Sequence, residues 1–308
     1  MTAAADLEAA VSVPTPGPDR SGVLVLANPT AGGFRPATLD ALAAELARRG
    51  IPVTVHLTSR AGEIEDLCSR PDPAVGTIVV AGGDGSVNEA ISGFEKVVRP
   101  PALAVVPFGT ANVLAHELRL PFDPSALAGV IGRRRTRPLH YGLANGHPFV
   151  LMVSAGFDAA VVHTVPLRMK RRCGRIAYAW TALRCAFAPR SADVIVTVDG
   201  EPIVCRMAVV LKVSRYGGPF IVCPQASPSR PELYLFAITR DDPVAVARMA
   251  LALLAGRFGT GNGIVMREIS GCTLSSAGAV PCQIDGDTFG TLPVEIARAA
   301  RPIEVVVP

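Results

Sequence analysis

The run Gly82-Gly83-Asp84-Gly85-Ser86 carries the most specific chemistry in the chain. It follows Thr77–Ala81, a short continuous apolar run that reads as a buried strand, and precedes Val87–Phe94, which reads as a helix. Glycine admits positive φ and lets a backbone come close to a ligand. A helix start adds unpaired N–H groups and the positive end of a dipole. Strand, glycine loop and helix together describe a phosphate cradle. A carboxylate does not belong in a plain cradle, because like charges repel. Asp84 has a task there if Mg²⁺ bridges it to phosphates, or if it orients an acceptor hydroxyl. The plainer reading is a tight turn in which Asp84 caps a helix.

Two more loops follow strands in the same way: Ala27–Gly33 (ANPTAGG) and Pro107–Asn112 (PFGTAN). In an open parallel sheet the carboxyl ends of the strands form the ligand crevice. Asn28, Thr110 and Asn112 can donate to phosphate or ribose without adding charge.

The elements that must position these loops alternate. Strands are expected at Gly22–Ala27, Val53–Leu57, Thr77–Ala81 and Leu103–Val106, and helices at Pro36–Arg49, Ile64–Ser69, Val87–Phe94 and Ala111–Leu118. Continuous apolar strands between helices predict a Rossmann-like α/β domain with a parallel sheet covered on both faces. The pattern changes after Arg137. Phe149–Ser154, Val194–Val198, Ile203–Val213, Leu233–Ile238, Val265–Ile269 and Thr273–Ser276 read as strands, and Asp199-Gly200 is a tight-hairpin signal. Ile176–Phe187 and Pro243–Leu254 read as helices. This predicts an α/β nucleotide-binding domain over 21–136 and a β-sandwich-type domain over 137–300. A linker is expected near Arg133–Pro138 and a disordered leader over 1–20.

No window reaches the roughly 18 consecutive apolar residues of a membrane span, and the N-terminus lacks the basic start and apolar run of a secretory signal. The seven cysteines form no CxxC pair and no metal-ligand spacing with histidine, so buried free thiols in a reducing cytosol are expected. Net charge is only +4, but Arg133–Arg137 (RRRTR) and Arg168–Arg175 (RMKRRCGR) are dense. Two readings stand: solvated basic segments, or adhesion to anionic headgroups, where each basic side chain contributes about 1 kcal/mol.

NPTAGG, GGDGSVNEAISG and PFGTANVLAHEL, in this order, resemble the diacylglycerol kinase catalytic-domain family, which includes bacterial diacylglycerol kinases and sphingosine and ceramide kinases. The motifs cover about the first third of the chain. Farther on, Ser154–Ala159 (SAGFDA) is similar to the family's Gly-Phe-Asp-Ala segment, and Gln283–Asp287 (QIDGD) to its Asp-Gly-Glu element. The resemblance implies an α/β domain plus a β-sandwich, with a C-terminal strand at 301–308 that returns to the first domain. It implies ATP-dependent phosphorylation of a hydroxyl on a membrane lipid, diacylglycerol or a ceramide or sphingoid base, with Mg²⁺. The place implied is the cytoplasm, peripheral to the inner face of the membrane, with no nucleic-acid partner. Asn28, Thr58, Gly82 through Asn88, and Thr110 match ATP-contacting positions, Asp84 also being the metal candidate. Asp287 stands where relatives carry a glutamate general base. His140 stands where many relatives carry an aspartate, and is the other candidate for the base. Relatives with a structural Mg²⁺ carry an aspartate in the segment matching Pro231-Glu232; it is missing here, so that site is not carried over. Two other readings remain: a kinase of a soluble substrate, since phosphofructokinases and NAD kinases also use Gly-Gly-Asp-Gly, and a catalytically silent nucleotide-binding protein.

Overall fold

A computed structural model describes residues 20–156, 192–216, 220–239 and 263–308. The leader up to residue 19, Phe157–Ala159, the basic run Arg168–Arg175 and the helices expected at Ile176–Phe187 and Pro243–Leu254 lie outside the described residues. The chain divides into two compact units: residues up to Leu139 with Pro302–Pro308, and His140–Arg301.

The first unit alternates strands and helices: β1 (Gly22–Ala27), α1 (Pro36–Arg48), β2 (Val53–Leu57), α2 (Glu63–Ser69), β3 (Val75–Gly82), α3 (Asp84–Phe94) and β4 (Ala102–Pro107). After β4 come α4 (Val113–Glu117), α5 (Pro124–Arg133) and β5 (Thr136–Leu139). The sheet order is β2-β1-β3-β4, then the C-terminal strand Ile303–Val306, then β5. All pairings are parallel except the last. β3 is buried from Thr77 to Gly82, as a strand covered on both faces must be. α1 starts with Pro36 at its first turn, buries Leu39, Leu42 and Leu46 on one face, and stops before Gly50 at φ 73°. It packs against α5.

Three expectations are corrected here. The glycine-rich stretch is not all loop: α3 begins at Asp84, three residues before the expected Val87. Glycine weakens a helix locally, but tertiary bonds made by Asp84 hold this turn. Arg133–Pro138 is not a linker, since it ends α5 and enters β5, whose partner is the C-terminal strand. α5 itself is absent from the sequence-based expectation, although Asp123 caps it through Ala126 N–H at 2.8 Å and Pro124 opens it.

The second unit contains β6 (Gly142–Ala144), β7 (His147–Phe149), β8 (Met152–Gly156), β9 (Val194–Val198), β10 (Glu201–Cys205), β11 (Met207–Leu211), β12 (Arg215–Tyr216) and β13 (Phe220–Ile221). It continues with β14 (Leu233–Ile238), β15 (Ile264–Ile269), β16 (Gly271–Ser275), β17 (Pro281–Ile284), β18 (Asp287–Thr291) and β19 (Val294–Arg298). Two six-stranded sheets form, β10-β9-β16-β19-β6-β7 and β15-β14-β11-β8-β17-β18, with β12 and β13 as a separate pair. Alternate residues of both sheets, among them Val194, Val196, Val198, Leu233, Leu235 and Ala237, meet in one core, the mark of a sandwich.

Two apolar runs that read as single strands each change sheets. Ile203–Val213 breaks at Arg206, so that β10 pairs with β9 while β11 pairs with β8 and β14. Phe149–Ser154 breaks between β7 and β8. At this second break Asp285, only 9% exposed, accepts the N–H groups of Val150, Leu151 and Met152, each at 2.9 Å. Asp285-Gly286 is also the two-residue turn between β17 and β18, with φ of 51° and 90°. Asp199-Gly200 (52°, 84°) turns the β9–β10 hairpin in the same way, as its sequence predicts. The described cysteines, Cys68, Cys205, Cys223, Cys272 and Cys282, are free and buried. Burial pushes Cys68, Cys205, Cys272 and Cys282 up to about 12, which leaves them inert as nucleophiles.

Asp285→Ala leaves three buried backbone donors without an acceptor. The expected loss is about 3–5 kcal/mol, read as a lower denaturant midpoint with an unchanged slope.

Candidate active site

The loops after β1, β3 and β4 meet at the carboxyl edge of the first sheet. Backbone bonds tie them together: Asn28 N–H to Ala81 O at 2.9 Å, Phe108 N–H to Gly82 O at 2.9 Å, and Gly33 N–H to Phe108 O at 2.7 Å. Thr58 joins from β2, its N–H bonded to Ala27 O at 2.9 Å. Its buried hydroxyl also turns to that carbonyl, at 3.3 Å.

The glycines serve contact rather than unusual φ. Neither Gly82, Gly83 nor Gly109 is at positive φ. A Cβ on Gly109 would lie 2.6 Å from the Gly83 Cα, so the second and third loops touch backbone to backbone. A Cβ on Gly82 would lie 2.5 Å from Ser86 Oγ. Ser86 Oγ in turn accepts from Asn28 Nδ2 at 3.2 Å, and Asn28 Oδ1 accepts from Thr30 N–H at 2.9 Å. Asn112, at φ 47°, folds its own loop: Oδ1 accepts from Gly109 N–H at 2.7 Å and Nδ2 donates to Gly109 O at 2.8 Å. Thr110 is exposed beside Gly32, and Asn88 is half-buried on α3.

Asp84 is the lock among these loops. Its Oδ2 accepts from Val113 N–H at 3.1 Å and its Oδ1 from Leu114 N–H at 3.2 Å. The side chain thus caps α4 across 29 and 30 residues and faces that helix's positive end. Among the described residues no side chain caps α3 at Gly83, and a helix start of this kind suits an anion. Among the described residues no cluster of three or more His, Cys, Asp or Glu side chains could hold a metal. Mg²⁺ is commonly held by one or two carboxylates plus phosphates and water. A metal here fits as one that arrives with phosphates and meets a carboxylate whose two oxygens already carry one amide bond each.

Glu89, which the sequence motifs do not single out, does for α2 what Asp84 does for α4. Its carboxylate accepts the N–H groups of Gly62 and Ile64, while burial pushes its pKa up. Glu63 closes the turn after Thr58, taking Ser59 N–H at 2.6 Å, and its hydrogen bonds from Ser59, His56 and Arg60 hold its carboxyl down at about 2. Glu89 sits in the middle of α3, past the first turn that Asp84 opens, and its sequence context, Asn88-Glu89-Ala90, does not mark it as a cap for another helix.

In the second unit, Asp287 is exposed at the start of β18, opposite Ile284 across the Asp285-Gly286 turn. The buried carboxylate of QIDGD is Asp285, not Asp287. Gln283 Nε2 donates to Ser154 Oγ at 2.9 Å, so the start of QIDGD on β17 lies beside Ser154 on β8. His140 N–H donates to Pro228 O at 2.7 Å. Burial, with Lys212 adding and Glu232 opposing, lowers the His140 pKa, which leaves a neutral imidazole at pH 7. The dense basic run has a partly structural use. Arg134 donates to the carbonyls of Arg20 and Ser21, at the start of β1 and so at the sheet edge away from the phosphate loops. Arg133 and Arg135 are exposed.

The family profile described as the diacylglycerol kinase catalytic domain matches residues 22–144, and that of the YegS C-terminal NAD kinase beta sandwich-like domain matches 151–307. A diacylglycerol kinase of Bacillus subtilis (strain 168) is 24% identical over 290 residues, covering 92% of this chain and 95% of its own. One of Staphylococcus haemolyticus (strain JCSC1435) is 23% identical over 295 residues, covering 92% and 87%. A crystal structure from Bacillus anthracis str. Sterne, described provisionally as a diacylglycerol kinase, superposes with a TM-score of 0.79 at 22% identity over 94% of this chain and 98% of its own. At that identity the superposition speaks for the fold.

A purely chemical residue could be neutralised without touching the melting temperature. Each Asp84 oxygen accepts one N–H of α4, so Asp84→Asn, which turns an amide donor toward one of them, is expected to cost about 1–2 kcal/mol. That is a drop of roughly 2–8 °C in calorimetry of the ligand-free protein. An unchanged transition means that the cap carries no stability.

Proposed function

The chain belongs to the family whose members join a diacylglycerol kinase catalytic domain to a YegS C-terminal NAD kinase beta sandwich-like domain, and on that premise we propose that this kinase transfers the γ-phosphate of ATP to a hydroxyl of a membrane lipid, diacylglycerol before ceramide or a sphingoid base. One observation carries the reading: three loops from neighbouring parallel strands, β1, β3 and β4, converge, with Asp84 locking the second to the third beside the start of α3. The amide groups around Gly82–Ser86, with Asn28 and Thr110, hold the phosphates of the nucleotide. Asp84 would hold Mg²⁺ together with those phosphates, and the metal would neutralise their charge. Charge neutralisation and positioning supply most of the acceleration in phosphoryl transfer. Asp287 takes the proton of the lipid hydroxyl: it is an exposed carboxylate on a hairpin fixed by Asp285, and a positioned base contributes roughly 10²–10⁴-fold. The neutral His140 imidazole is the second candidate for that proton.

The direct test offers the purified protein labelled ATP and Mg²⁺ with diacylglycerol, ceramide and sphingosine in mixed micelles, and with NAD and sugar phosphates. Label is expected in the diacylglycerol product. Asp287→Asn is expected to lower kcat roughly 10²-fold or more while ATP affinity holds, and Asp287→Glu to retain activity. Label only in a soluble product, or in none, overturns the reading. Equal loss in His140→Ala with an unaffected Asp287→Asn moves the base to His140.

The same reading places the enzyme at an anionic surface, with Arg133 and Arg135 contributing to adsorption. They stand on the sheet edge away from the phosphate loops, so they act on binding and not on substrate entry. Binding to phosphatidylglycerol vesicles is expected to fall steeply with salt, since exposed charges are screened within about 8 Å at physiological ionic strength. A double change of both arginines to serine is expected to weaken that binding while kcat on micellar substrate stays within about twofold. Salt-independent binding contradicts the assignment.

A further inference from the structure

Lys212 follows β11 and is fully buried, at 0% exposure. Its N–H donates to Leu151 O at 2.8 Å, which fixes the backbone beside the β7–β8 break. Its Nζ donates to three backbone carbonyls of one irregular loop: Ser227 O at 3.0 Å, Glu232 O at 2.9 Å, and Arg230 O. An ammonium has three donors and no acceptor, so three carbonyls saturate it. The loop has a matching deficit. Pro224, Pro228 and Pro231 supply no N–H, so its carbonyls outnumber its donors. Within the loop, Arg230 N–H bonds Ser227 O at 3.2 Å, Ala226 N–H bonds Cys223 O at 3.1 Å, and Ser229 N–H bonds Ser227 Oγ at 3.2 Å. Pro228 O takes His140 N–H at 2.7 Å.

Converging carbonyl oxygens around a compact positive charge are the donor set that proteins offer to bound cations. We propose that the carbonyls of Ser227, Arg230 and Glu232 form a cation site filled by the chain's own Lys212 ammonium, a site that accepts a free ammonium-type or alkali cation once the side chain is removed. Lysine suits it better than arginine, whose planar fork does not match a three-sided cage. Charge at the cage is maintained at neutral pH: burial lowers the Lys212 pKa only to about 8, with Glu232 favouring the charge, Arg298 opposing it, and His140 close by. One Glu232 oxygen is buried without a hydrogen-bond partner among the described residues, and a positive centre beside it favours its charge. Lys212 is thus a positioning residue: it fixes the loop that bonds His140, the second candidate for the base.

Lys212→Ala removes three methylenes and the ammonium, which n-propylammonium replaces atom for atom. The variant is expected to melt roughly 6–15 °C lower. Added n-propylammonium is expected to restore the transition saturably, and ammonium or potassium to restore part of it. Choline and n-propanol at equal concentration are expected to do nothing. Lys212→Met fills the stem without the charge, and is expected to stay destabilised in every cation. A Lys212→Met variant that melts like the wild type, or rescue of Lys212→Ala no better by propylammonium than by choline, overturns the proposal.

If Lys212→Ala does not fold, amine acylation of the wild type decides the matter. The chain has only three lysines, Lys96, Lys170 and Lys212. Lys96, with a side chain 57% exposed, is expected to react in the native protein, and Lys212 only at the rate of global unfolding. Acylation of Lys212 at a rate like that of Lys96 means that the cage is open and the proposal fails.

Discussion

Both oxygens of the Asp84 carboxylate are turned toward the amino end of a helix that starts 29 residues later in the chain. That contact sets the distance between the loop after β3 and the loop after β4. The approach of Gly83 to Gly109 depends on it, because backbones that close need something to hold them as well as the absence of side chains. The start of α3 depends on it too, since a first turn containing Asp84-Gly85 has poor local preference for helix. The negative charge sits against a helix end that favours it, and so it need not repel a phosphate at the neighbouring helix end as strongly as a free carboxylate would.

The second unit repeats the device with different geometry. Asp285 gathers three consecutive N–H groups at the point where the chain leaves one sheet for the other, and the glycine after it completes a tight turn. Backbone donors at such a break have no ladder partner, and a buried one left unmatched is costly. A short carboxylate on an adjacent hairpin satisfies all three and fixes the turn that leads into Asp287. Lys212 does the inverse at the neighbouring loop, where carbonyls are in excess. Both of these buried charges stand where the backbone has an unmatched set of one polarity.

Much was legible in the sequence because it was local. Short apolar-rich runs announced β1 through β4 within one or two residues, and Gly22–Ala27 and Val53–Leu57 needed no correction. Asp-Gly announced the β9–β10 turn, because only residues tolerant of positive φ fit both positions. The three loops were recognisable from glycine and small polar residues at strand ends. The change from alternating elements to short strands announced the sandwich.

What tertiary structure decided was the partner of each charge and the destination of each strand. Ile203–Val213 is equally apolar on both sides of Arg206, and nothing local says that the two halves belong to different sheets. Asp84, Glu89, Asp285 and Lys212 are single letters whose roles lie in hydrogen bonds to residues 15 to 135 positions away. Periodicity reports which residues are apolar and how they repeat, a property of neighbours in the chain. Saturation of a buried carboxylate or ammonium depends on which backbone groups are left over once the sheets have paired, and that remainder exists only in the folded chain.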